Sequence, residues 1–214
     1  MQKIYTIYGQ QLGQPRGWFG RWITRPILVR GNAALNRWVI DSLAPTARVL
    51  ELGCGPSKGL QQVGAQLITG FVVGIDYSKL MLDTAARQIT QLRQHQRAYL
   101  MLADAATLPI ADATFDCAFA VNVVYFWPNP LATMREIYRV LKPNGRIMLA
   151  IRPDALVRRL RFPQLGFASY TAPALAALLE QAGFQAVAIQ TQPPTWGLPG
   201  LDGTGVTADA PADC

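Results

Sequence analysis

Charge is scarce in this chain: Asp, Glu, Lys and Arg make up 15% of its 214 residues, against roughly a quarter in an ordinary soluble domain. With 50% hydrophobic residues, disorder of the whole chain is excluded, because disordered chains combine high charge with little to bury. The same figures leave enough apolar material for one sizeable core. There is one histidine, His95, and the three cysteines contain no CxxC pair. That removes both a zinc site and a disulfide framework and points to reduced thiols. No apolar run reaches the roughly 18 residues needed to span a bilayer, and the opening MQKIYTIYGQQLGQPRGWFG has no signal-peptide core. The expected setting is cytoplasmic.

The formal net charge of +7 would suit an anionic partner. However, the basic residues are spread along the chain and form no Lys/Arg-rich block, so no nucleic-acid partner is expected.

From residue 47 onward, short apolar runs alternate with longer amphipathic ones, the pattern of βα units around a parallel sheet. Strands are predicted over 47–52, 71–75, 98–102, 115–121, 146–151 and 186–189. Helices are predicted over 32–43, over 58–67, from an N-cap at Ser78 to about 96, over 131–141 behind Pro128-Asn129-Pro130, and over 173–181 behind an N-cap at Thr171. Lys142-Pro143-Asn144-Gly145 is read as a helix terminator. The fold class is α/β, a Rossmann-like doubly wound, mostly parallel sheet with helices on both faces. Residues 1–44 read as an N-terminal helical or irregular segment, 45–192 as the ligand-binding domain, and the Pro-, Gly- and Ala-rich 193–214 as a disordered tail. A seventh strand is therefore not expected.

The first strand runs into Gly53-Cys54-Gly55. Glycines at such a turn allow positive φ and let a ligand approach the backbone, and the helix beyond offers free N–H groups. Asp76 ends the second strand, 21 residues beyond Gly55, where a carboxylate can accept from a ribose diol. Asp104 follows the third strand and falls on the same carboxyl edge. One acid after one strand reads equally as a solvated turn residue or helix cap, but a Gly turn with acids at two successive strand ends favours a nucleoside site.

These segments resemble, in order and spacing, the motifs of class I S-adenosylmethionine-dependent methyltransferases, in the methyltransferase type 11 or UbiE-like group. Val49-Leu50-Glu51-Leu52-Gly53-Cys54-Gly55-Pro56 is similar to motif I and Val73-Gly74-Ile75-Asp76-Tyr77-Ser78 to the second motif. Ala103-Asp104-Ala105 with Leu108-Pro109 and Phe115-Asp116 resembles the third and the lead into the fourth. Val121-Asn122-Val123-Val124-Tyr125-Phe126-Trp127 and the run from Glu136 to Gly145 complete the set.

The resemblance implies S-adenosylmethionine as cofactor and methyl transfer by in-line displacement to a small-molecule acceptor. Glu51 would orient the loop or take the methionine ammonium. Gly53, Cys54 and Gly55 would pass their backbone along the methionine portion. Asp76 would accept the ribose hydroxyls, with Tyr77 against the adenine. Asp104 would accept from the adenine amino group, the Ala105 N–H would donate to the ring, and Asn122 would border the methyl group. Ser57 stands where many relatives carry a third glycine, and would cap the following helix through its hydroxyl.

No catalytic base is assigned. His95 reads as a solvent-facing helix residue, and Tyr125 either contacts the acceptor or packs as an aromatic. Tyr5, Tyr8, Trp18, Phe19 and Trp22, set among arginines, could cover the acceptor pocket, pack on the core, or touch an anionic membrane surface. The competing functional readings are an inactive S-adenosylmethionine-binding protein, supported by Ser57 and the tail, and an NAD(P)-dependent oxidoreductase. The latter wants a third glycine where Lys58 stands.

Overall fold

In the computed structural model of this chain, residues 33–152, 154–159, 162–192 and 203–212 are described. The aromatics and arginines at 1–32 and Cys214 lie outside the described residues.

The described chain runs α1 (Ala33–Asp41), β1 (Arg48–Leu52), α2 (Lys58–Gln66), β2 (Phe71–Asp76), α3 (Lys79–Gln88), α4 (Thr90–Gln94), β3 (Ala98–Leu102) and β4 (Phe115–Val121). It continues through a 3-10 turn (Val124–Phe126), α5 (Pro130–Val140), β5 (Leu141–Ile151), α6 (Asp154–Arg159), α7 (Ala172–Gln181), β6 (Gln185–Gln192) and β7 (Gly203–Asp209). The strands form one seven-stranded sheet in the order β3-β2-β1-β4-β5-β7-β6. The expected doubly wound, mostly parallel sheet is present: β1 to β5 pair in parallel, and β7 is antiparallel to both of its neighbours.

Each sheet face carries its own apolar cluster. Leu50, Leu52, Ile75, Met134 and Ile147 belong to one, and Leu35, Val49, Leu60, Phe119 and Met148 to the other. Neighbouring positions on β1 fall in opposite clusters because strand side chains alternate faces, and both faces are covered, as an α/β sheet requires. The strand order reverses between β1 and β4, which opens a crevice at their carboxyl ends, the place where ligands bind in open α/β sheets.

Capping sets several helix starts. Asn129 Oδ1 accepts the Ala132 N–H at 3.0 Å, and Thr171 Oγ1 accepts the Ala174 N–H at 3.3 Å. The helix predicted from Ser78 to about 96 is instead broken at Ile89, with φ −109 and ψ 21. Ile89 is buried, and the Thr90 hydroxyl donates back to Ala86 O and Arg87 O, a local bond that competes with the helix ladder.

Lys142-Pro143-Asn144-Gly145 is not a plain terminator either. It is taken into β5 at a register shift opposite Phe115 and Cys117, with Asn144 at φ 61.

The expected disordered tail is overturned over 203–209, which form β7. The segment is weak on its own, GTGVTAD, and its composition reads as loop. Its stability comes from place: it pairs with β5 on one side and β6 on the other, so its backbone groups are satisfied across both edges. Val206 and Ala208 fall into the core, and Arg146 on β5 donates to Asp209. Gly205 makes room for the Trp38 ring, which would stand 2.3 Å from a Cβ at that position, while the Trp38 indole N–H donates to Gln190 Oε1 at 3.0 Å.

Candidate active site

The β1–α2 turn is shaped by backbone conformation. Gly53 and Gly55 sit at φ 65 and 51, in the region L side chains avoid, and a Cβ on Gly53 would lie 2.7 Å from the Val123 methyls. Ser57 takes the same left-handed conformation at φ 69. Its hydroxyl is buried, makes no capping bond and has no partner among the described residues. The expectation that Ser57 caps α2 is corrected: the position adopts glycine's backbone, and that geometry turns the side chain away from the helix N–H groups.

Asp76, at the end of β2, is 8% exposed and ties two loops together. Its Oδ2 accepts the Gly55 N–H at 2.9 Å and its Oδ1 accepts the Ser78 N–H at 2.8 Å. Burial raises its pKa, while these two donors pull it down.

Glu51 lies deeper, 5% exposed, with Oε2 lacking a hydrogen-bond partner among the described residues. Its pKa is pushed up to about 8, first by burial and then by the Asp76 charge, against a lowering hydrogen bond from the Leu60 N–H. A Cβ at Gly59 would stand 2.3 Å from Glu51 Oε1, so the missing side chain is what leaves space for the carboxylate. Burial also raises the Cys54 thiol well above its ordinary value, which keeps it a neutral small wall residue and no nucleophile.

Asp104 is exposed after β3, with Oδ1 accepting the Ala106 N–H at 2.9 Å. The loop that follows is fastened to α5. Arg139 donates to Ile110 O at 2.8 Å and Leu108 O at 3.1 Å, and Glu136 Oε1 accepts the Leu108 N–H at 2.7 Å. Asn122, after β4, has φ 56. Its Oδ1 accepts the Arg152 N–H at 3.1 Å and the Tyr125 hydroxyl at 3.3 Å.

Glu51, Gly53, Cys54, Gly55, Asp76, Tyr77, Asp104, Ala105 and Asn122 all line a single cavity of about 300 Å³. Tyr125 is not on its wall. It is 2% exposed, its hydroxyl accepts from the Arg152 N–H at 2.7 Å, and burial raises its pKa, so packing is its role. His95 is exposed, with Nδ1 at 2.9 Å from Gln91 O. Wall residues that the motifs do not single out for binding include Asn36, Gly59, Met81, Val123, Phe126 and Trp127. One signal for Asn36 is visible in the sequence: it is the polar member of the buried face formed by Leu35, Asn36, Val39 and Ile40 on an amphipathic helix.

Residues 50–149 match the Methyltransferase domain family. The chain is 30% identical over 129 residues to an uncharacterized methyltransferase, YdaC, of Bacillus subtilis, covering 59% of this chain and 69% of that one. The chain belongs to the S-adenosylmethionine-dependent methyltransferases. It is also 36% identical over 107 residues to the demethylmenaquinone methyltransferase of Lactiplantibacillus plantarum, covering 50% of this chain and only 45% of that enzyme. An S-adenosylmethionine-dependent methyltransferase from Methanosarcina mazei shares the fold, with a TM-score of 0.68 at 20% identity over 82% of this chain and 98% of that one. This membership removes the oxidoreductase alternative, and β7 removes the tail as a support for an inactive binding protein. The cofactor of this methyltransferase is S-adenosylmethionine. The residues suit it: the buried, unpartnered Glu51 oxygen calls for a cation, and the cofactor carries an ammonium beside its sulfonium.

Proposed function

We propose that this methyltransferase holds S-adenosylmethionine in the cavity along the carboxyl ends of β1 to β4 and transfers its methyl to a small-molecule acceptor. The observation that carries the reading is the convergence on one cavity of the Gly53-Cys54-Gly55 turn, the buried Glu51 and the acids after β2 and β3. Glu51 binds the ammonium, and the glycine turn lets the methionine portion run close to the backbone. Asp76 keeps a lone pair on each oxygen beyond its bonds to Gly55 and Ser78 for the ribose diol. Asp104 and Ala105 border the adenine edge, and Tyr77, 47% exposed, lies against the ring. Asn122 is fixed by Tyr125 and Arg152 at the methyl end.

When bound, the cofactor supplies a methyl already activated by positive sulfur. The protein's share is therefore positioning and exclusion of water. Phe126 and Trp127 contribute apolar wall where the acceptor enters. No group on the wall is assigned as a general base, which is needed only for an acceptor with a high-pKa proton.

The test is twofold. Calorimetric titration with S-adenosylhomocysteine should show one site per chain. Incubation with methyl-labelled cofactor and a small-metabolite extract should then yield a labelled small molecule. Absence of binding sinks the cofactor assignment. Label found only in macromolecules sinks the acceptor class.

A further inference from the structure

Asn36 lies on the inner side of α1 beside Leu35, Val39 and Ile40, and is 4% exposed. Its carboxamide makes no hydrogen bond among the described residues, yet Asn36 is part of the cavity wall. An amide that makes no bond within the described protein and stands on a cavity wall has its donor and acceptor available to what fills the cavity.

The position of α1 says which part of the cavity it serves. The helix packs on α2, β4 and β5, and Leu35 shares an apolar cluster with Cys54, Leu60 and Val121. Strand β3, which Asp104 and Ala105 follow, is at the far edge of the sheet. Asn36 thus belongs with Glu51 and Gly59, away from Asp104 and Ala105 at the adenine edge. Here the wall offers one buried oxygen without a partner among the described residues, on Glu51, and the Asn36 carboxamide, which makes no hydrogen bond among them. An acceptor for a cation beside a neutral N–H donor is the complement of an α-amino acid zwitterion. A neutral amide can donate to a carboxylate without adding charge next to Glu51. Lys58, also on the wall, is exposed, so water screens whatever it adds.

Resting on the reading that the cavity holds S-adenosylmethionine, we propose that Asn36 is a cofactor-binding residue which donates to the α-carboxylate while Glu51 takes the α-ammonium. Together they make this methyltransferase select a nucleoside that carries an intact amino-acid end.

Two probes separate that end from the rest: S-adenosylhomocysteine, and 5′-methylthioadenosine, which has the same nucleoside and sulfur without the amino acid. Both are titrated by calorimetry into the full chain and into Asn36→Ala and Asn36→Asp. In each variant the expected outcome is a loss of about ten-fold or more in affinity for S-adenosylhomocysteine, with 5′-methylthioadenosine held within about two-fold. The loss should be larger in Asn36→Asp, which sets a negative charge against the carboxylate. Retained 5′-methylthioadenosine binding also certifies that the variant is folded. Equal losses for both probes, or no loss for either, overturn the assignment. Should the unmodified chain bind neither probe, the cofactor reading itself fails, a result distinct from failure of the Asn36 assignment.

Discussion

The Asp76 carboxylate and the Gly55 amide are joined across the mouth of the cavity, Oδ2 accepting the N–H at 2.9 Å. One aspartate therefore sets the glycine turn in place before any ligand arrives, and this loop-holding role and the proposed ribose-binding role are inseparable in one mutant but separable by measurement. Asp76→Ala should weaken S-adenosylhomocysteine binding by at least about 1 kcal/mol, the scale of a hydrogen bond to a charged group. It should also speed hydrogen exchange at the Gly55 amide in the ligand-free protein. Unchanged affinity contradicts the ribose assignment, whereas unchanged exchange contradicts the loop-holding bond.

Glu51 gives the methyltransferase a pH signature. Its pKa is pushed up to about 8 from an ordinary 4.5, so the folded, ligand-free protein holds this proton where the unfolded chain has released it. The stability this contributes is fully present below the ordinary value and is lost as pH rises toward 8. An ammonium ligand favours the ionised form, so binding expels the proton, and affinity should climb with pH up to about 8, by at most about ten-fold per unit. Glu51→Gln should flatten that dependence and weaken binding. The check is titration at about pH 6 and about pH 8 in buffers of different ionisation enthalpy. Equal affinities with no proton release would show that Glu51 is not the ammonium's partner.

Ser57 is a residue in a glycine's conformation. With φ 69 and a buried hydroxyl that has no partner, Ser57→Gly relieves both the left-handed strain and the desolvated oxygen. The gain is offset in part by extra freedom in the unfolded chain, leaving an expected stabilisation of about 1 kcal/mol. Urea denaturation measures it, and a lower midpoint at unchanged slope would refute the strain argument.

The sheet edge that carries the candidate site is legible in the sequence because it is written in local signals. Gly53, Gly55, Asp76 and Asp104 sit at strand ends whose position follows from the short apolar runs before them, and parallel strands bring those ends to one edge. Ser57 misleads because its identity suggests a cap, whereas the turn geometry that decides its φ comes from Gly53 to Pro56 and the sheet behind them. Asn36 lies outside the motifs, upstream of the first, and reaches the cavity through helix packing on β4 and β5. β7 is hidden for a related reason. Its strand formers Thr204, Val206 and Thr207 are interspersed with Gly203, Gly205 and Asp209, and what makes it a strand is the pair of edges offered by β5 and β6.

That dependence on context makes β7 testable at Gly205. Its partners in register are Ala150 on β5 and Gln190 on β6, and the Trp38 ring of α1 lies against it, so close that any added Cβ would meet the ring at 2.3 Å. A valine there has excellent strand propensity, so propensity alone predicts stabilisation. Packing predicts the reverse. The indole must move, which breaks its bond to Gln190 and displaces the helix that presents Asn36. Gly205→Val should cost about 1–3 kcal/mol, the usual toll of overpacking, and Gly205→Ala a smaller part of it. The paired change Gly205→Ala with Trp38→Leu should recover much of the loss, because the two residues share one volume. Denaturation of the parent, both single variants and the pair closes the cycle. A valine variant at least as stable as the parent would mean that α1 does not seat its tryptophan on β7.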